Sequence, residues 1–337
     1  MTSREPVPPH TLELPGLDGN TPLGVLAALG VLRLLDERSR ATPAPPPRLS
    51  WRWTRRWSPV LHGPWSMDEL IDLAQQDAEA WQHAAPLRLR YPKQEKSGVK
   101  LVGALKPPVA VVRAWLADAL ARGDQTALAY SAALMHELAH ERLDEAKVVS
   151  ADRIEAEGLA CDRDAPFDES LLPTPFDFTS RNAQFLEQVE VIRASVTPER
   201  LAAALRDGAS DPTAARTLDW DQGADVPGAL FARATSTAHP GAEWLAFRGL
   251  VYFPVAGLGG SLRATSCRGR RKRGAFVWPL WEVPATPDAV ASLLRYPAIE
   301  TLTRAERHLL GVVEVFQAAM TVKADGYNGM FAPTRPA

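Results

Sequence analysis

Proline limits what this chain can fold into more than any other residue type. Twenty-nine prolines are spread through 337 residues. Each fixes its own φ and removes a backbone donor, which shortens helices and strands. Short elements joined by ordered turns are expected, and no internal repeat of fixed period is present. With 46% hydrophobic and 23% charged residues, the composition is that of a globular protein with one large domain or two smaller ones.

Between the prolines, local signals define the elements. "HTLELPGLDGNTPLGVLAALGVLRLLDERSR" reads as a short strand, a turn and a helix. Asn20-Thr21 supplies the cap, Pro22 suits the first helical position, and Leu23, Leu26, Ala27, Gly30 and Leu34 form one apolar stripe. "RLSWRWTRRWSPVLHG" alternates large and charged residues, as a hairpin does. Helices are expected at Met67–His83 with Ser66 as cap, Pro107–Ala121, Gln125–Leu143, Ala183–Ala194, Pro198–Leu205 and Thr286–Arg295. "PLRLRYPKQEKSGVKLVGA" reads as two strands around a lysine-rich tip, "GALFARATSTA" as a strand, and "GSLRATSCRGRRKRGAFVWPLWEV" as one long hairpin. Thr303–Met320 is ambiguous, because its first turns suit a helix while Val312, Val313, Val315 and Phe316 suit a strand. The fold class is α+β, with helices and antiparallel hairpins in mixed order rather than a doubly wound alternation. The expected organisation is an N-terminal α+β region at 1–104, a mainly helical region at 105–205 and an α+β region at 206–337 that carries the basic hairpin, or one compact body.

Cys161 and Cys267 stand far apart without CxxC spacing, which disfavours a disulfide framework and suits a reducing cytoplasm. The first residues lack an apolar signal-peptide core, and the apolar run at 23–35 is too short to span a bilayer, so no membrane is expected. No cofactor is expected. "GLGGS" at 257–261 lacks the Lys-Ser/Thr of a phosphate loop, and Asp219 and Asp221 beside Trp220 read as turn chemistry.

One motif points elsewhere. His136, Glu137 and His140 have the H-E-x-x-H spacing that places two imidazoles on one helix face around zinc, with the glutamate as base. The surroundings oppose it. Glu141 puts a charge after the second histidine, and the metzincin extension finds Leu143 and Ala146 where glycine and histidine belong. The motif is read as a chance spacing on a helix, so no metal is expected. A zinc-dependent hydrolase is the alternative.

The net charge of −2 makes any nucleic-acid surface a local patch. Three patches qualify. Arg263, Arg268, Arg270, Arg271, Lys272 and Arg273 crowd one hairpin, with Gly269 and Gly274 bracketing the densest part. Arg52, Arg55 and Arg56 interleave with Trp51, Trp53 and Trp57, and Lys93, Lys96 and Lys100 lie with Arg88 and Arg90 around a third hairpin. Clustered cations repel one another, and counterion release from phosphates rewards their assembly on a polyanion. Tryptophans between arginines suit base stacking. Trp278 and Trp281, in the apolar run "FVWPLW", read as core. Docking of acidic protein partners is the other use for such loops. The ten acidic and four basic residues between Glu141 and Glu169 read as a solvated acidic loop.

Several phrases together resemble the small-subunit family of type I CRISPR systems, especially subtype I-G (formerly I-U). They are "LPGLDGNTPLGVLAALGVLRLL", "TPFDFTSRNAQFLEQV" at 174–189, "GAEWLAFRGLVYFPV" at 241–255, "FVWPLWEVP" at 276–284 and "GVVEVFQAAMTVKADGYNGMF" at 311–331. The resemblance covers most of the chain and contains no catalytic signature. It implies a non-enzymatic, large-subunit-like component of a Cascade-type complex, with crRNA, target DNA and other effector subunits as partners.

Overall fold

The computed structural model describes residues 10–42, 44–95, 98–105, 107–136, 172–179, 184–211, 213–214, 216–221, 238–258, 261–269, 274–322 and 329–337. The acidic stretch at 141–169 and the strand expected at 228–238, save its last residue, lie outside them.

The first part of the chain forms β1 (Thr11–Glu13), α1 (Pro22–Arg40), β2 (Arg48–Trp53), β3 (Trp57–His62) and α2 (Met67–Ala80), which ends in a 3-10 turn at Trp81–His83. Then come α3 (Ala85–Arg88), β4 (Tyr91–Glu95), β5 (Gly98–Val102), α4 (Val109–Ala121), α5 (Gln125–Leu134) and the two-residue strands β6 (Met135–His136) and β7 (Leu172–Pro173). The next helices are α6 (Phe185–Ala194), α7 (Pro198–Ala202) and α8 (Pro240–Gly249). The remainder forms β8 (Val255–Leu258), β9 (Ser261–Ala264), β10 (Cys267–Arg268), β11 (Ala275–Trp281), α9 (Pro287–Leu294), α10 (Arg304–Leu309), β12 (Val312–Val322), β13 (Gly329–Phe331) and β14 (Arg335–Pro336). The class is α+β, and every strand pair among the described residues is antiparallel. The main sheets have the orders β1-β3-β2 and β10-β11-β12-β13, with β14 also on β12.

Helix starts follow the local signals. Thr21 Oγ1 accepts a hydrogen bond from the N–H of Gly24 at 3.0 Å, with Pro22 first in the helix. Ser66 with Glu69 and Thr303 with Glu306 form reciprocal capping boxes, and Thr286 caps α9. The ambiguous segment beginning at Thr303 divides into a helix to Leu309 and a long strand.

Two expectations fail. α5 stops at Leu134, because Met135 is extended (φ −156°, ψ 155°) and pairs with Pro173. The hairpin expected over 260–283 is two hairpins. β9 turns back onto β8, while β10 pairs with β11, and Ser266 between them takes a positive φ of 61° with its hydroxyl donated to the carbonyl of Leu294.

α1 buries far more than one stripe. Fifteen of its nineteen residues are buried, as are all ten of α8, so the pair runs through the middle of the core. A Cβ on Gly30 would sit 1.7 Å from the carbonyl oxygen of Leu245, and one on Gly249 would sit 2.2 Å from that of Leu26. The two backbones touch, and only glycine permits it. One hydrophobic cluster then runs from Leu14 to Phe331.

A charged group lies inside this core. The Arg248 side chain is 1% exposed. Its guanidinium reaches Asp77 Oδ2 at 3.0 Å, the Tyr130 hydroxyl at 2.7 Å and Glu37, and lies 4.4 Å from the Trp81 ring centroid. The Tyr130 hydroxyl in turn donates to the carbonyl of Arg248 at 2.9 Å, and the Trp244 indole donates to Asp77 at 3.2 Å. Burial opposes the charge on Arg248, but Tyr130, Asp77 and Glu37 outweigh it and raise its pKa. Burial also pushes Asp77 up to about 6 against the pull of Arg248, so at neutral pH the pair is ionised.

Glu243, one turn earlier, is equally buried. Its Oε1 accepts from the Thr217 hydroxyl and from the N–H of Leu218 at 2.7 Å, while Oε2 has no partner among the described residues. Burial pushes its pKa up to about 7.

Both features of this core can be measured. Gly30→Ala forces α1 and α8 apart and costs about 3 kcal/mol of unfolding free energy, read from denaturant titration. For Glu243, the folded state holds a proton that the unfolded chain releases, from its ordinary 4.5 up to about 7. Stability therefore declines as pH rises through that window, by roughly 3 kcal/mol, and levels off above it. Glu243→Gln removes that part of the decline in urea melts taken across the same pH range.

Candidate nucleic-acid interface

The β2–β3 hairpin places its residues by strand alternation. Leu49, Trp51 and Trp53 point one way, and Arg48, Ser50 and Arg52 the other. Trp51 is 2% exposed and meets Trp281 edge-to-face at 6.2 Å. Two residues further on the hairpin has left the core. Trp53 is 57% exposed, held edge-to-face against Trp57 at 5.5 Å. The turn is closed by the Thr54 N–H donating to the carbonyl of Arg56 at 3.0 Å.

The three arginines of this tip have different surroundings. Arg52 and Arg55 are exposed. Arg52 stands 3.7 Å from Glu13 with its side chain 56% exposed, an ion pair of little net strength in water. Arg55 forms no ion pair with a described residue. Arg56 is half-buried beside Asp18, whose carboxyl burial raises, with Asn20 and then Arg56 drawing it down. Arg56 thus faces its own chain more than solvent.

The C-terminal hairpin differs from the expectation of six clustered cations. Arg268 is turned onto its own protein, since both oxygens of Glu300 accept from its guanidinium, at 2.7 and 3.0 Å. Those hydrogen bonds hold the Glu300 carboxyl below its usual range. Arg263 belongs to β9, opposite Ala256, in a different two-stranded sheet. Arg270, Arg271, Lys272 and Arg273 lie outside the described residues. Trp278 and Trp281 are core, at 0% and 2% exposure, and their indoles donate to the carbonyls of Gly19 (2.9 Å) and Leu49 (2.7 Å).

In the third patch, the register of β4 and β5 sets Lys93 directly opposite Lys100. Like charges at facing positions of a ladder are unfavourable unless a counter-anion lies between them. Lys96 lies outside the described residues. Arg90 is structural, donating to the carbonyls of Leu87 at 2.7 Å and Leu89 at 2.9 Å.

His136, the first residue of the H-E-x-x-H spacing, does not lie on a helix. His136 belongs to β6, opposite Leu172, after α5 has ended, so the face that would set two imidazoles around zinc is interrupted at its first ligand. Glu137 and His140 lie outside the described residues. Among the described residues no group of three or more His, Cys, Asp or Glu is placed to hold a metal ion, and no helix is long and apolar enough to cross a membrane. Asp221 Oδ2 lies 3.1 Å from Nε2 of His239, a partner eighteen residues away that its turn-like sequence does not disclose.

Sequence reasoning missed His62. It stands opposite Arg48 and bonds through Nε2 to the Ser50 hydroxyl at 2.8 Å. The alternation that placed the arginines also places His62 on their face, once the register of the hairpin is known. Compared with known protein families, curated proteins and solved structures, the chain matches none.

The two kinds of arginine separate by experiment. Arg268→Ala costs about 1 kcal/mol of stability by breaking the Glu300 pair. In a double-mutant cycle with Glu300→Ala, thermal melts give a coupling of the same size, whereas Arg55→Ala leaves stability within about 0.5 kcal/mol of the parent.

Proposed function

We propose that the protein grips a nucleic-acid strand through its β2–β3 tip, with no chemistry of its own, as a subunit of a crRNA-guided type I interference complex in the cytoplasm. The partners in this reading are crRNA or target DNA and the other effector subunits, and the phrases that resemble subtype I-G subunits support it. The observation that carries the binding role is Trp53, more than half exposed, between Arg52 and Arg55 at the end of a hairpin. Burying a large apolar side chain is worth about 2–3 kcal/mol to a fold, and this tip forgoes most of it while Trp51, two residues earlier, is buried.

An exposed indole with flanking guanidinium groups suits a strand whose bases stack and whose phosphates pair. Stacking is worth about 1–3 kcal/mol per base and tolerates any sequence. The arginines contribute through counterion release, which makes binding steeply salt-dependent. Capture of this kind reads the backbone and leaves sequence to base pairing elsewhere in the complex.

Fluorescence anisotropy with a labelled single-stranded oligonucleotide, across added salt, tests the reading. Trp53→Ala weakens binding about tenfold with the salt slope kept. Arg52→Ala with Arg55→Ala flattens the slope by about 1 for each phosphate that is no longer neutralised. Unchanged affinity and slope in all these variants would remove the tip from the interface.

A further inference from the structure

One face of the N-terminal sheet carries more than the tip needs. Register places Arg48 opposite His62, Ser50 opposite Val60 and Arg52 opposite Ser58. Because facing residues of an antiparallel pair share a side, these six groups lie on one face, where Ser50, Ser58 and Val60 are buried while Arg48 and Arg52 are exposed and His62 is half-buried. Glu13 joins it from β1, opposite Val60. Ser50 is buried and bonded to the His62 ring at 2.8 Å, which fixes the imidazole in place. The Ser58 hydroxyl is buried without a hydrogen-bond partner among the described residues. Arg48 is exposed and makes no ion pair with a described residue, and Arg52 has only the loose contact to Glu13.

From this juxtaposition we propose that Arg48, Arg52 and His62 form a seat for one phosphate group, and that the phosphate belongs to the backbone of a bound nucleic-acid strand. The source of the phosphate rests on the nucleic-acid reading, while the seat itself does not. Two guanidinium groups supply positive charge, and the imidazole, held by Ser50, supplies a third donor once protonated. In the free protein burial, and then Arg52 and Arg48, hold His62 below its ordinary range, so at neutral pH it carries no charge. An anion in the seat offsets that repulsion and favours the imidazolium. Phosphate and proton therefore bind together, and each strengthens the other. Strand affinity rises as pH falls through the titration of His62. The charged and titratable groups facing it across the sheet are Arg48 and Arg52 on β2 and Glu13 on β1.

NMR of the imidazole signals reads the seat directly. His62 is titrated with and without inorganic phosphate, with ionic strength matched by sodium chloride. The titration midpoint moves upward with phosphate, and Arg48→Gln with Arg52→Gln removes the movement while thermal melts show the fold intact. A midpoint that stays put, or that moves equally in the arginine variant, overturns the seat. An oligonucleotide without terminal phosphates gives the same upward movement if the seat takes backbone phosphate. Movement only with inorganic phosphate or a 5′-phosphorylated strand overturns the backbone assignment. If Trp53→Ala leaves strand binding untouched while phosphate still moves His62, the tip reading fails and the seat stands.

Discussion

The structure depends on two helices whose backbones touch. Gly30 and Gly249 let α1 and α8 approach until carbonyl oxygens occupy the space where side chains would begin. That close approach allows both helices to be buried along their length. It also carries Arg248 into a region where a lone charge could not persist. The guanidinium is tolerated because Glu37, Asp77 and Tyr130 arrive from three other helices, with Trp81 beneath it. Such a cluster adds little net stability over an apolar one, but removing any single partner is costly, so it favours one arrangement of the helices over others.

The sheets are attached to this centre through tryptophans. The indoles of Trp278 and Trp281 donate to carbonyls of the Asp18–Asn20 turn and of β2, at Gly19 and Leu49. Trp51 closes the same seam against Trp281. The N-terminal hairpin is therefore anchored at its base by buried rings and released at its tip, where Trp53, Arg52 and Arg55 face solvent. Rigid support beneath an exposed aromatic is what stacking requires, since little conformational freedom is then given up on binding.

What could be read from the sequence was what depends on neighbours within a few residues. Thr21, Ser66, Thr286 and Thr303 announce their helices because a cap is a local hydrogen bond. The buried Trp278 follows from its apolar run and the outward Arg52 from strand alternation. Long-range partners overrode other local signals. α5 has the periodicity to continue past Leu134, yet Met135 leaves the helix to pair with Pro173, far along the chain. Arg268 reads locally as a free cation, but Glu300, thirty-two residues later, accepts two hydrogen bonds from its guanidinium. Arg248 stands out as a charge inside "EWLAFRG", which signals burial with partners, but nothing local names Glu37, Asp77 or Tyr130. The difference between Trp51 and Trp53, on the same strand and the same side, lies in where the core ends, and that is set by Trp281.

The central claim is a location: the strand lies on the β2–β3 tip. Ultraviolet cross-linking of a bound oligonucleotide, followed by mass spectrometry of the conjugated peptides, measures that location without altering the protein. The account predicts a principal adduct on Trp53, within the peptide that runs from Arg52 to Arg55. Adducts confined to other parts of the chain, with the tip peptide recovered unmodified, would contradict it.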